Sequence, residues 1–334
     1  MSRGTRTMPE TLLPENILTI EIPPEARRLE QIPSIGRLPL SCAPMSAPNQ
    51  ATPLRPLLAL VGGAIAIGFA PIFVRLSEVG LNATAFWRLA LSLPAFWLLC
   101  RRAGDASVPA CSYGLLTIAG VFFGLDLIFW HTSIALTSVA NATLLANLTP
   151  IAVVLFYWLV MKQRPAKRFL LGAALALSGA TGLAVGGTPP ASNGSELVGD
   201  FYGVMTAIVY AGYLLAVARA RTSVSGLHVA LASSAVAMVI TGAVALASGE
   251  KFWPASTTGW AVVTGLALLC HVVGQGGIIW ALGQLPTSLS SVVILVQPVV
   301  AAGLGWLWLG ESLEPVDVLF AALVLGGILI CRRE

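Results

Sequence analysis

The sequence predicts an all-α membrane protein with ten transmembrane helices, arranged as two inverted five-helix repeats. Hydrophobic residues make up 56% of the 334 residues and charged residues only 10%, whereas a soluble domain is roughly 25% charged. Apolar runs of about 20 residues recur from Pro56 to the C-terminus, each long enough to cross a hydrocarbon core roughly 30 Å thick. One such run ends at Pro150 and a similar one ends at Pro298, 148 residues later, which indicates an internal duplication.

Residues 1–55 differ in composition from the rest of the chain. They hold nine of the 21 prolines, five glutamates and six arginines, and they lack the apolar core of a signal peptide. We therefore expect a disordered cytoplasmic N-terminal tail that is not cleaved.

Ten apolar segments follow this tail, and hydropathy places their ends to within a few residues. The first five form the first repeat, residues 56–186, and the last five form the second repeat, residues 199–331. Several loops between segments are very short, so consecutive helices are expected to be antiparallel neighbours. The segments are 56–77, 82–100, 113–135, 139–161, 167–186, 199–219, 226–248, 257–282, 287–309 and 315–331.

Basic residues in the loops predict the orientation of the helices. They fall on one side of an even-numbered topology, whereas the loops on the other side are mostly acidic. The positive-inside rule makes the basic side cytoplasmic, so both termini are predicted to lie in the cytoplasm and the protein in the cell (inner or plasma) membrane. The formal net charge of +4 reflects this topology and indicates no nucleic-acid partner. The basic loop residues are Arg55, Arg101, Arg102, Lys162, Arg164, Lys167, Arg168, Arg219, Arg221, Arg332 and Arg333.

The offset of 148 residues aligns further landmarks of the two repeats. It places Gly179 on Gly327, and the small-residue turn 138–142 on 286–290. An odd number of spans per repeat inverts the second copy relative to the first. The loop charges agree with this inversion, because the loop after the fourth span reads MKQRPAKR and the loop after the ninth reads GESLEP.

Polar side chains within the spans mark the predicted functional site. An ionisable group in a bilayer costs at least roughly 2.5 kcal/mol, so such groups usually face a water-filled cavity or a partner. Several of these residues lie near the middle of spans from both repeats, which is where inverted-repeat membrane proteins bind their ligands. The candidate substrate-binding residues are Arg88, Asp126, Trp130, His131, Asn147, Tyr210, His271, Gln275 and Gln297.

Arg88 and Asp126 lie at similar depths on consecutive spans and have two interpretations. They either form a salt bridge that fixes the two helices together or contact charged groups of a substrate. Asp126 and His131 are five residues apart, about 140° around a helix, so they do not share one face. A proton relay between them would therefore need a residue from a third helix.

The remaining candidates also have structural alternatives. Asn147 and Gln297 are either ligands of a substrate or hydrogen-bonding residues between helices. His271 is either a buried core histidine or a group that couples transport to protons, because its ordinary pKa is near neutrality. Trp130 is either a cavity wall or a packing residue.

Pro150 and Pro298 are predicted to interrupt their helices at mid-span, since proline removes a backbone hydrogen bond and clashes with the preceding turn. Their equivalent positions favour two hinges, and a static kink is the alternative.

Motifs for enzymatic chemistry are absent from the sequence. It contains no Gly-Lys-Ser phosphate loop, no HExxH zinc motif and no nucleophile elbow. The five cysteines are scattered without metal-ligand spacing. We therefore expect no cofactor, no metal and no enzymatic activity.

Several motifs resemble the EamA branch of the drug/metabolite transporter superfamily. They are FWRLALSLP around Arg88, the run ending at Pro150, GDFYG at 199–203 and QPVVAAGLGWLWLGESL at 297–313. The resemblance covers residues 56–331 and excludes the tail. One departure is Gln163, which stands where the family usually has a glutamate after the fourth span.

The resemblance implies a secondary transporter that exports small polar or amphipathic metabolites, such as amino acids, by alternating access. Protons are an expected coupling ion. The alternatives are a nucleotide-sugar or organic-phosphate exchanger of the same fold, a membrane-embedded enzyme and a passive channel.

Overall fold

The computed structural model describes residues 53–104, 108–136, 139–185, 196–309 and 314–332. The predicted disordered tail lies outside these ranges apart from residues 53–55, where the first helix already begins at Leu54. Within the described ranges the regular structure is helical and contains no strand.

The described residues of the first half form eight helices and one short 3-10 turn at Ala110–Ser112. The helices are α1 (Leu54–Gly68), α2 (Ala70–Arg75), α3 (Leu81–Ala90), α4 (Ser92–Ala103), α5 (Tyr113–Leu136), α6 (Val139–Ala146), α7 (Thr149–Leu159) and α8 (Lys167–Val185).

In the second half, the part that the structure describes forms seven α-helices and a π-helical segment, Leu266–Gln275, between α11 and α12. The helices are α9 (Glu196–Ala220), α10 (Gly226–Ala247), α11 (Thr257–Gly265), α12 (Gly276–Leu282), α13 (Thr287–Val293), α14 (Val296–Leu309) and α15 (Pro315–Arg332). Each predicted apolar segment therefore contains one helix or a few consecutive ones.

Eight helical stretches in the described part of the chain are long and apolar enough to cross a membrane. The stretch Leu144–Leu159 is also apolar but shorter. The prediction of a helical membrane protein is confirmed, whereas the count of ten spans stays a prediction. The eight stretches are Leu54–Arg75, Leu81–Ala103, Ala110–Leu136, Leu197–Ala220, Gly226–Ala247, Thr257–Leu282, Thr287–Leu304 and Pro315–Arg332.

Helix ends follow from local side-chain chemistry at several loops. Ser225 caps α10 by accepting a hydrogen bond from His228 N, and Ser256 caps α11 by accepting one from Gly259 N. After α4 the chain adopts a left-handed conformation at Gly104, with φ of 61°, which glycine tolerates without strain.

The core is formed by α5 packing against α9 and α10, and by α8 packing against α15. Phe96, Phe123 and Tyr213 are among the largest completely buried side chains in this core. On the outside, leucines such as Leu58 and Leu197 are exposed, as expected for helices that face lipid tails.

Glycines bring α8 and α15 into backbone contact. A Cβ atom on Gly179 would lie 2.5 Å from Phe320 O, and one on Gly327 would lie 2.5 Å from Gly172 O. The offset of 148 residues relates the two contacts, because it takes Gly179 of α8 to Gly327 of α15 and Phe320 of α15 back to Gly172 of α8. No side chain larger than hydrogen fits at either crossing without moving backbone atoms.

The helices that carry Pro150 and Pro298 are both interrupted just before the proline. The break between α6 and α7 falls at residues 147–148, and the break between α13 and α14 at residues 294–295. Each proline then lies in the first turn of the next helix, where a missing N–H leaves no intrahelical hydrogen bond unmade. The interruption predicted from each proline is therefore present.

Two loops are joined by reciprocal hydrogen bonds, and we call residues 77–87 and 250–260 the loop clasp. Glu78 accepts hydrogen bonds from Ala255 N at 2.9 Å and Ser256 N at 3.0 Å, and also from Ser256 Oγ. Glu250 accepts from Asn82 Nδ2 at 2.8 Å and Ala83 N at 2.9 Å. Each carboxylate thus lies at the N-terminus of a helix from the other half, where helix dipole and free N–H groups favour an anion.

An aromatic cluster completes the clasp. Trp87 Nε1 donates a hydrogen bond to Phe252 O at 2.7 Å, and the Trp87 ring lies 4.8 Å from that of Trp260 and 5.0 Å from that of Trp253. The hydrogen bonds from Ser256 are the main cause that holds the pKa of Glu78 below its ordinary value.

Candidate substrate-binding site

A cavity of about 120 Å³ lies between helices of both halves of the chain. The lining residues come from α1, α2, α3, α5, α6, α7, α9, the π-helical segment, α13 and α14, and from the two helix breaks. Arg88 and Asp126 are its two charged residues. Its neutral polar residues are Asn147, Thr149, Thr206, Tyr210, Gln275, Ser291 and Gln297.

Most of the residues predicted from the sequence to form a site line this cavity. They come from different helices, and the fold brings them together although they are far apart in the chain. They are Arg88, Asp126, Trp130, Asn147, Pro150, Tyr210, Gln275, Gln297 and Pro298. The two predicted residues outside the lining are His131 and His271.

Arg88 and Asp126 are both almost completely buried, with 4% and 8% of their surfaces exposed. Both side chains line the cavity, and within the described part of the chain no hydrogen bond or ion pair joins them. Arg88 Nε has no hydrogen-bond partner among the described residues. The alternative of a salt bridge that fixes two helices together is therefore not the arrangement in this conformation.

Aromatic side chains form a continuous row behind the cavity. Tyr210 stacks on Tyr213 with 5.8 Å between ring centroids, and Tyr213 stacks on Phe123 at 4.7 Å. Gln275, at the end of the π-helical segment, donates a hydrogen bond from Nε2 to Tyr213 Oη at 3.2 Å. Stacking and this hydrogen bond fix one wall of the cavity, and π-helical turns are frequent at such sites.

His271 lies on the far side of this row. Its ring stacks on Phe123 at 5.4 Å, and its Nε2 is 2.8 Å from Ser234 Oγ. This arrangement is that of a buried core histidine, which was one of its two sequence interpretations. A role for His271 in proton coupling stays a prediction.

His131 follows Trp130 on α5, and only 1% of its surface is exposed. Its ring lies 5.2 Å from the Trp130 ring, but it does not line the cavity with Trp130 and Asp126. The different helix faces predicted for Asp126 and His131 explain this separation.

The two helix breaks each supply an amide side chain to the cavity. Asn147 occupies the first break, and its Nδ2 has no hydrogen-bond partner among the described residues. Gln297 follows the second break by two residues. Asn147 is therefore held at the cavity by an irregular segment, whereas Gln297 is held by the first turn of α14; irregular backbone at membrane depth is tolerated where it lines a cavity.

Sequence reasoning missed several lining residues, among them Phe123, Thr206 and Ser291. Thr206 is four residues before Tyr210 and Phe123 is three before Asp126, so helical spacing from known candidates could have identified both. Ser291 is in a run of small residues that carried no such signal.

A helical membrane protein with a polar cavity enclosed by helices from both halves has the architecture of a solute transporter. The chain belongs to the EamA-like transporter family, whose model matches it twice, at residues 54–185 and 197–333.

Two proteins that the chain is similar to are exporters. The pseudopaline exporter CntI of Pseudomonas aeruginosa is 25% identical over 245 residues, which cover 73% of this chain and 81% of that protein. The threonine/homoserine exporter RhtA of Escherichia coli K12 is 28% identical over 146 residues, 42% of this chain and 48% of RhtA. A solved crystal structure with 16% identity matches the fold with a TM-score of 0.71 over 83% of this chain and 96% of its own length.

Proposed function

We propose that this chain is a secondary exporter of small polar or amphipathic metabolites, amino acids or related compounds, across the cytoplasmic membrane by alternating access. The single observation that carries the proposal is the cavity, which places two buried charges and several neutral polar groups between apolar helices. Such groups are costly inside a bilayer unless they serve a polar solute or water. The two exporters among the relatives support the same direction of transport.

The size of the cavity supports a small solute. At about 120 Å³, it is far below the roughly 300–1,000 Å³ of sites that enclose drug-sized ligands. A nucleotide sugar falls in the class of larger ligands, whereas an amino acid is far smaller. The cavity therefore favours the amino-acid class over the nucleotide-sugar alternative.

Two inverted repeats of five helices, residues 56–186 and 199–331, are part of the proposal. The family model matches the chain twice, and helix breaks precede Pro150 and Pro298 at equivalent positions. The same offset of 148 residues also relates the two glycine contacts between α8 and α15, with the roles of the two helices interchanged. Ten spans with both termini in the cytoplasm follow from this arrangement.

In the proposed cycle the two halves rock about the cavity, with Pro150 and Pro298 as hinges. At the breaks before these prolines the regular α-helical pattern gives way to turn-type hydrogen bonds, such as Leu148 N to Leu145 O and Leu295 N to Val292 O, and such interruptions are where a helix bends at least cost. Export against a gradient requires coupling, and we propose protons as the coupling ion.

Reconstitution into liposomes tests the proposed function. A metabolite survey of cells that lack or overproduce the protein first ranks the twenty amino acids as candidates. Purified protein should then exchange at least one of these radiolabelled amino acids. Substitution of Asp126, Asn147 or Gln297 by alanine should lower exchange by about tenfold or more, since each removes a polar contact in the cavity.

Alanine at Leu58, which is exposed on the lipid-facing surface, is the control and should leave exchange unchanged. Undiminished exchange in all three cavity variants would remove the proposed site. Flux that is unaffected by collapsing the pH gradient would count against protons as the coupling ion.

A further inference from the structure

We propose that Arg88 and Asp126 bind the two opposite charges of one dipolar solute, so that the transporter selects zwitterions and rejects molecules that carry only one of these charges. This inference rests on the proposed function and deepens it by assigning a role to each charged residue of the cavity. Arg88 would contact the carboxylate and Asp126 the ammonium group.

The first step of the argument is that both charges are buried in the same cavity without a hydrogen bond between them. A buried charge is tolerated when it is paired and hydrogen-bonded, and it is costly otherwise. Arg88 Nε is buried without a partner among the described residues, although a guanidinium presents a planar set of donors that matches a carboxylate. A solute that brings a carboxylate would supply this missing partner.

The second step is the charge balance of the lining. Arg88 and Asp126 are the only charged residues among the residues that line the cavity, so their formal charges cancel. A solute with a net charge would leave one of the two groups unpaired in a region of low dielectric. A solute with one positive and one negative group pairs both groups, and the complex stays neutral.

The third step is the position of the two residues. They come from α3 and α5 and both line the same cavity, so a solute bound there can contact both. Trp130 and Tyr210 line the same space and offer aromatic faces to the rest of the solute. Arg88 and Asp126 would thus determine the solute class, and the remaining lining residues would determine which side chain fits.

Three probes with a common side chain test the inference. They are threonine, 1-amino-2-propanol, which lacks the carboxylate, and 2,3-dihydroxybutyrate, which has a hydroxyl in place of the ammonium group. If threonine is not exchanged, the best amino acid of the panel and its matched amine and hydroxy acid replace these probes. Competition with the labelled amino acid in liposomes gives the apparent affinity of each.

Wild-type protein should bind the amino acid at least about tenfold more tightly than either analogue, because each analogue leaves one charge unpaired. The Arg88→Gln variant should no longer prefer the amino acid to the amine. The Asp126→Asn variant should no longer prefer the amino acid to the hydroxy acid. Arg88→Lys keeps the charge and should retain the zwitterion preference with weaker affinity.

The matched controls are Arg164→Gln and Glu314→Gln, which remove the same charges at exposed positions and should preserve the wild-type order of affinities. A ligand-dependent rise in melting temperature of purified variants shows whether each remains folded and able to bind. Unequal effects of the two variants on the two analogues are the expected result, and a purely structural role would not produce them.

An equal loss of affinity for all three probes in both variants would overturn the inference while leaving the exporter proposal intact. If wild-type protein exchanged no amino acid but did exchange an organic phosphate, the proposed function itself would fail. The two failures are therefore distinguishable.

Discussion

Glu78 shows how one side chain stabilises a junction between the halves of the molecule. Its carboxylate accepts hydrogen bonds from Ala255 N, Ser256 N and Ser256 Oγ at the start of α11. These bonds favour the charged form and hold the pKa of Glu78 below its ordinary value of 4.5. A group whose pKa is lowered on folding contributes stability above its unfolded pKa and loses it as pH falls through the folded pKa.

We therefore predict that Glu78→Gln reduces the dependence of stability on acidic pH. Wild-type protein should lose melting temperature as pH falls below about 4.5, and the variant should lose less over the same window. Thermal unfolding in detergent between mild and acidic pH measures this difference. Glu314→Gln, at an exposed position, is the control and should follow the wild-type curve; if Glu78→Gln also follows it, the hydrogen bonds of Glu78 do not contribute to stability.

Charged and polar residues of the cavity were the part of the site that the sequence could predict. Arg88, Asp126 and Gln275 are conspicuous because polar groups in apolar segments are rare. The histidines satisfied the same criterion, yet His131 and His271 do not line the cavity. Hydropathy places a residue along a helix but does not say which face meets which neighbour, so it could not separate these two cases.

At the level of elements, the pair α8 and α15 is held by contact between backbones. Gly172, Gly179 and Gly327 leave no space for a Cβ, whereas Gly326, the neighbour of Gly327, has open space around it. Van der Waals packing between small residues is a main source of helix association in membranes, where lipid tails are as apolar as leucine.

This geometry predicts opposite outcomes for two adjacent substitutions. Gly327→Ala would place a Cβ 2.5 Å from both Ala176 N and Gly172 O, so the helices must separate and melting temperature should fall, with a cost of about 1–3 kcal/mol. Gly326→Ala meets nothing within 4 Å and should be neutral or stabilising by up to about 1 kcal/mol, since alanine favours helix. Equal melting temperatures of the two variants would show that the close approach of α8 and α15 does not contribute to the stability of the protein.

The sequence predicted the elements well because the signal for each is local. Apolar length defines the helix at Tyr113–Leu136 to within one residue of the predicted 113–135, and each proline marks its own break. The π-helical segment Leu266–Gln275 carried no such signal. It lies in an apolar run like any other, and its backbone departs from α-helix under the influence of its neighbours in space.

For the whole molecule, the loop clasp joins the two halves at one end of the helices. It connects loops that the charge distribution predicts to lie outside the cytoplasm, and Glu78 and Glu250 each accept hydrogen bonds from the opposite half. Opening this end requires both sets of bonds to break, so weakening one should favour the open state.

We predict that Glu250→Gln increases exposure of the cavity from this side. A cysteine introduced at Thr206 in a cysteine-free background should react faster with a membrane-impermeant thiol reagent added outside, by roughly threefold to tenfold for a shift of about 1 kcal/mol. Glu314→Gln is the control and should leave the labelling rate unchanged. A rate in Glu250→Gln equal to that control would separate the clasp from the closure of the cavity.

The clasp also has a consequence for the order in which the protein is made. The carboxylate that caps α3 belongs to Glu250, which is 168 residues after Asn82 in the chain. A growing chain emerges from the ribosome N-terminus first, at roughly 5–20 residues per second. The first turn of α3 is therefore synthesised several seconds before its anionic partner. The early half of the protein reaches its final form only after the later half has been synthesised.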